Sequence, residues 1–158
     1  MKFKRQQLED KMGLDMYLNA KRYLWNREDE LVNQLSNSFS ELDEAKVKEI
    51  VAEVGYWRKA NAIHKWFVDN IQKGVDDCGN YEVSKEHLEV LLDIINEVLA
   101  DKKKAHKLLP SASGFFFGST DYDKYYFEDL EYTKELLQKI LKNEKLLKDW
   151  YFEYHSSW

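Results

Sequence analysis

A chain of 158 residues with a net charge of −5 has no basic surplus with which to displace counterions from a phosphate backbone, so nucleic acid is not an expected partner. Hydrophobic residues at 44% and aromatics at 15% are enough for one sizeable core, and the length fits one domain, expected over residues 12–158 with residues 1–11 as a leader or extension. The single Cys78 rules out an internal disulfide, and no amino-terminal apolar run suits secretion or membrane insertion, which predicts a soluble, cytoplasmic protein with no membrane partner.

From Gly13, the apolar Leu14, Met16 and Leu18 alternate with Asp15, Tyr17 and Asn19, the period of a strand with one buried face, extending to Leu24 or Trp25. Asn26 opens a polar stretch whose Glu28, Asp29 and Glu30 suit the first turn of a helix, with Leu31, Val32, Leu35 and Phe39 on its apolar side. Ser40, with Asp43 three residues on, reads as the cap of a second helix predicted to run to about Lys73. Gly55 interrupts that helix at a cost of about 1 kcal/mol relative to alanine, marking a kink or a close contact, and Gly74 ends it. The segment 75–81, VDDCGNY, reads as an exposed turn. Ser84 then caps a third helix with the apolar stripe Leu88, Leu91, Leu92, Ile95, Val98 and Leu99.

Residues 111–123, SASGFFFGSTDYD, hold three phenylalanines between two glycines. They are too apolar for a solvated loop and are expected to pack as a short strand or buried turn. Ser119 or Thr120 is expected to cap a last long helix with the stripe Tyr126, Leu130, Thr133, Leu137 and Ile140. Finally Trp150, Phe152 and Tyr154 alternate with Tyr151, Glu153 and His155, a closing strand best stabilised by pairing with the first. The reading is a mainly helical α+β domain of about four helices, with a small antiparallel sheet that joins the amino- and carboxy-terminal strands.

Chemistry concentrates on the expected second helix. Val47, Ile50, Val54, Trp57, Asn61, His64, Val68 and Ile71 fall three and four apart, on one helical face, and Asn61 and His64 interrupt it. A buried polar group without a partner costs about 1–3 kcal/mol, so this seam requires partners from the protein or from a ligand. Trp57, Arg58, Asn61 and His64 together suit a small phosphate-bearing, nucleotide-type ligand: an aromatic ring stacks on the base, Arg58 pairs with phosphate and Asn61 reads the base or sugar. GFFFGST ahead of a helix adds amides and hydroxyls at Phe116, Ser119 and Thr120, with Tyr17 or Tyr122 completing the walls. It lacks the lysine and glycine spacing of a Walker loop, and Asp121 and Asp123 oppose an anion. The structural alternative is that Asn61 and His64 find their partners inside the core and that GFFFGST is a packed turn before a capped helix.

Elsewhere no site is expected. Asp76 and Asp77 disfavour a thiolate at Cys78, and no second ligand stands at metal spacing. His87, His106 and His155 fall in different elements, and no nucleophile–base or paired-carboxylate pattern stands out. No catalytic residue, metal or cofactor is therefore assigned.

MGLDMYL, GYWRKANAIHKWFV, SGFFFGSTDYD and HSSW resemble a family of small uncharacterised proteins of tailed bacteriophages and prophages, the likeness spanning Met12 to Trp158. A phosphoglycerate kinase label carried by some members does not fit a chain too short for two lobes and without that kind of phosphate loop. The resemblance implies a phage accessory protein in the bacterial host's cytoplasm, where a counter-defence sponge would capture a nucleotide-derived signal without turnover. Two alternatives stand beside it. One is an interaction module that inhibits a host protein through Trp66, Tyr125, Tyr126 and Trp158. The other is a nucleotide-processing hydrolase with His64 as general acid or base. Homo-oligomerisation stays open under all three.

Overall fold

The alternation at Leu14, Met16 and Leu18 becomes strand β1, Asp15–Tyr23, in the computed structural model, which describes residues 13–25, 30–39, 41 and 45–158. The expected leader, the acids Glu28 and Asp29 and the capping pair Ser40 and Asp43 lie outside the described residues. Leu14, Met16, Leu18 and Ala20 are fully buried on one side of the strand, and Tyr17 and Asn19 lie on the other. Three further strands, β2 (Glu49–Arg58), β3 (Tyr81–Val83) and β4 (Tyr151–Ser157), complete an antiparallel sheet in the order β2-β1-β4-β3. The first and last strands are thus direct neighbours, with Leu18 opposite Tyr154, and the fold is α+β as the patterning implies.

Six α-helices occur among the described residues: α1 (Glu30–Asn37), α2 (Asn61–Asn70), α3 (Lys85–Ala100), α4 (Ala105–Leu108), α5 (Lys124–Leu141) and α6 (Glu144–Asp149). None is long and apolar enough to cross a membrane. The apolar stripes of α3 and α5 pack on each other and join the inward residues of β1 and β4 in one core. The Ser84 cap forms as expected, with His87 taking the reciprocal position of the capping box.

The long second helix does not form. Its first half is strand β2, because Ile50, Val51, Val54, Tyr56 and Trp57 are β-branched or aromatic, and the segment pairs along the whole length of β1 with Val54 passed over at one register shift. A register shift opposite Leu18 and Asn19 re-aims the strand, so that Gly55 and Trp57 face the core. Gly55 marks a close contact: a Cβ there would stand 2.6 Å from Leu136 Cδ2 and 3.2 Å from the Trp57 ring. Lys59, in the left-handed region at φ 59°, turns the chain into α2, while left-handed Gly74 follows its end and donates its amide to Val68 O.

Two expectations around the phenylalanines are also corrected. Only Phe117 is buried; Phe116 is half-buried and Phe115 is 93% exposed, because the segment crosses the surface as a turn held by Leu14 N donating to Phe116 O. Neither Ser119 nor Thr120 caps the last long helix. Asp123 does, accepting the amides of Tyr125 and Tyr126, while Ser119 Oγ accepts the amide of Asp121 in the preceding turn.

Candidate functional site

The seam that sequence patterning singles out is answered by protein. Asn61 is 5% exposed, and its amide acts as a piece of backbone for the 111–120 loop. Nδ2 donates to the carbonyls of Phe117 at 2.9 Å and Ser119 at 2.8 Å, while Oδ1 accepts the amide of Ala112 at 3.1 Å. Trp57, 3% exposed, donates Nε1 to Thr133 Oγ1 at 2.8 Å and packs against Phe67 and Tyr132. Its ring offers no face to a ligand.

His64, 1% exposed, stands between Tyr154 and Asp76. Nδ1 lies 2.7 Å from the Tyr154 hydroxyl and Nε2 lies 2.8 Å from Asp76 Oδ2. Burial, then the nearby Asp76 charge, pushes the Tyr154 phenol well above its ordinary range, so it keeps its proton. Each ring nitrogen of His64 thus has one partner, a hydroxyl that can donate or accept at Nδ1 and a carboxylate that accepts at Nε2. Trp158 Nε1 also donates to Asp76, at 3.1 Å, and its ring meets Phe117 edge-on. The chain Tyr154–His64–Asp76–Trp158 ties β4, α2 and the 75–81 turn together. Its centre, His64 and Tyr154, is buried, and His64 is not placed for acid–base work on a bound molecule.

One turn towards the start of α2 the structure opens. A cavity of about 310 Å³ lies between Arg58, Lys59 and the first turn of α2 on one side and the first turns of α5 on the other, with Gly118 and Ser119 at its rim. Ala60 gives α2 no side-chain cap, so Ala62 and Ile63, which line the cavity, belong to a first turn whose orphan amides have no capping side chain. Gly118 is left-handed at φ 83°, and a Cβ there would stand 3.3 Å from Lys59 Cβ, so loop and lysine approach as closely as glycine allows.

The opposite wall is acidic. Asp121, Asp123, Glu128 and Asp129 line it, with Tyr125, 73% exposed, and the buried Tyr126. Asp123 Oδ1 is occupied by the α5 amides, and Glu128 pairs with Lys124 at 3.2 Å. Burial, with Glu128 and Asp123 adding like charge, pushes the Asp129 carboxyl up to about 6. Its main-chain carbonyl accepts Thr133 Oγ1 at 2.6 Å, which links this wall to Trp57.

Of the residues singled out from sequence, Arg58, Asn61 and Ser119 line this cavity. Asn61 does so as the clamp of its rim, not as a reader of ligand. Trp57, His64, Phe116, Thr120, Tyr17 and Tyr122 are not among its lining residues. Tyr17 lies on the other face of the sheet, stacked on His155 at 4.7 Å. Trp66 and Tyr126, expected at an exposed interface, are buried, whereas Tyr125 and Trp158 are exposed. Sequence reasoning missed Lys59 and Asp129; Lys59 lies between two residues it did select, and nothing local distinguishes Asp129 in a chain with 29 acids. Among the described residues no group of three or more His, Cys, Asp or Glu side chains could hold a metal ion. No protein-family model, curated protein or solved structure matches the chain.

Proposed function

We propose that this protein binds a small phosphate-bearing ligand, without turning it over, in the cavity between α2 and α5. The observation that carries the reading is the opening of one concavity at the uncapped first turn of a helix, with Lys59 and Arg58 among its lining residues. Orphan amides and the positive end of the helix dipole favour an anion, and Lys59 adds a full charge to the same side. A volume of about 310 Å³ lies at the small end of ligand sites, which suits a mononucleotide-sized or smaller molecule. Tyr125 replaces Trp57 as the ring available for stacking.

The non-catalytic role rests on His64, whose two ring nitrogens are committed to Tyr154 and Asp76 outside the cavity lining. A phage setting, argued from the family resemblance, gives such a binder a purpose as a sponge for a nucleotide-derived signal. Calorimetric titration with AMP and with inorganic phosphate tests the reading: both bind, AMP is recovered intact, and Arg58→Ala or Lys59→Gly weakens both. If neither phosphate compound binds, the proposal falls.

A second reading, an interaction module for a host protein, is favoured by Phe115, which has 93% of its surface exposed, and by the exposed Tyr125 and Trp158. Loss of a host protein from pull-downs with Phe115→Ser, with phosphate binding unchanged, would support it.

A further inference from the structure

We propose that the hollow at the approach to β2 is a second binding site, which takes a small carboxylic acid with an apolar body. It lies at the opposite end of β2 from Arg58 and Lys59, about 30 Å away for a strand of ten residues. It stands independently of the phosphate cavity.

The hollow has a volume of about 420 Å³, within the range of small-molecule sites, and three segments build its walls. The end of β1 and the residues after it give Tyr23, Leu24 and Trp25, while α1 contributes Val32. The approach to β2 adds Val47, with a lysine on either side of it. Leu24 N donates to Lys48 O at 2.8 Å, so two of the three segments are held against each other in the fold itself.

The apolar residues set the body of the occupant. Tyr23 stacks on Tyr151 at 5.1 Å and is tilted by 46° against Trp25, whose ring is 86% exposed. A large indole left in water beside an apolar hollow lacks a covering group. Val32, on the same hollow, is buried, so an occupant has to enter in order to touch it. A membrane surface could cover Trp25 but would not fill the space. An alkyl chain or a single ring fits both, and its transfer from water is favourable.

The charges set the head group. Lys46 and Lys48 are the charged residues among the described lining residues, and neither forms an ion pair with another described residue. In a chain of net charge −5, an apolar hollow lined by two cations and no described acid is complementary to an anion. Lysine presents a compact charge with three rotatable donors, which suits a carboxylate at the mouth while the body stays uncharged inside.

The test uses the whole isotopically labelled chain, followed by amide NMR, with three probes: octanoate, octanol and acetate. Octanoate should shift the amides of Leu24, Trp25, Val47 and Lys48, leaving Lys59 to Ile63 unmoved. Octanol should bind at the same residues about fivefold more weakly, the gain expected of an exposed ion pair, and acetate should not bind at millimolar concentration. Lys46→Gln combined with Lys48→Gln should bring octanoate level with octanol, and Trp25→Ser should weaken both while an unchanged melting temperature shows the fold intact. Equal binding of octanoate and octanol by the parent protein overturns the anionic ligand, and acetate binding as tightly as octanoate overturns the apolar body. Binding of neither octanoate nor octanol overturns the site. Sedimentation with vesicles of phosphatidylcholine and phosphatidylserine, lost in Trp25→Ser, by a protein that takes no octanoate would assign the indole to a membrane and overturn the proposal as well.

Discussion

The Nδ2 atom of Asn61 donates to the main-chain carbonyl of Ser119 at 2.8 Å, and through this bond the first residue of α2 holds the rim of the cavity in place. The same side chain also serves Phe117 O and the Ala112 amide. Asn61→Ala therefore strands three backbone groups at once and should cost about 2–4 kcal/mol, since each lost partner is worth about a kilocalorie or more when the remaining group is buried. Urea denaturation gives the total. Hydrogen exchange at the Ala112 amide locates it, and unchanged protection there would contradict the clamp.

His64→Phe keeps the ring's bulk but leaves the Tyr154 hydroxyl and the acceptor Oδ2 of Asp76 without their partner. A loss of about 2–3 kcal/mol is expected, and Tyr154→Phe should recover part of it by removing the stranded hydroxyl. A double-mutant cycle reads this directly. Strictly additive losses would show that the two side chains do not depend on one another.

Asp129 gives a pH signature. Its carboxyl holds a proton more tightly when folded, near 6, than at its ordinary value of 3.8, so the folded state is favoured as pH falls through 6 and the full effect is reached below about 4. Above 6 the ionised, under-paired carboxylate is a net cost. Asp129→Asn should thus stabilise the ligand-free protein at pH 7.5 by on the order of 1 kcal/mol, a figure already reduced for solvent screening of a half-buried group. The gain should vanish at pH 4. Thermal melts at the two pH values check it, and destabilisation at pH 7.5 would mean that the carboxylate has a counter-charge.

Lys59 occupies the left-handed region as a non-glycine residue beside the cavity. Lys59→Gly relieves about 1–2 kcal/mol of local strain and gives back roughly 0.5–1 kcal/mol through the freer unfolded chain. Stability should hold or rise by up to about 1 kcal/mol while phosphate binding falls. A variant that loses stability and binding together would make the residue structural instead.

Gly55→Ala drives a methyl group towards Leu136 and the Trp57 ring. A cost of about 1–2 kcal/mol is expected, as in overpacked cores. A neutral effect in denaturant titration would show that Leu136 yields freely.

The elements legible in the sequence are those whose period is enforced by burial on one side. β1 reads from Leu14, Met16 and Leu18, β4 from Phe152 and Tyr154, α3 from Leu88 to Val98, and α5 from Tyr126 to Ile140, and each stripe faces the shared core. β2 was not legible, because Val47, Ile50, Val54 and Trp57 happen to be three and four apart and run on into α2, while the break between them is a left-handed lysine instead of a glycine. For Asn61 and His64 in the polar seam, the alternative that the structure shows is partnership within the protein. Apart from Asp76, 12 residues from His64, the seam's partners Ala112, Phe117, Ser119 and Tyr154 lie 51 to 90 residues away, beyond the reach of any local pattern. The cavity is legible only in part for the same reason: Arg58 and Asn61 stand in a recognisable cluster, but the acidic wall that faces them comes from a helix some seventy residues later.

An NMR titration of the isotopically labelled chain with AMP tests the central claim most directly, because it locates the ligand as well as detecting it. The account predicts amide shifts centred on Lys59 to Ile63 and Asp123 to Leu130, with Tyr17 and Phe152 unmoved. Shifts centred elsewhere, or none at millimolar AMP, would contradict it.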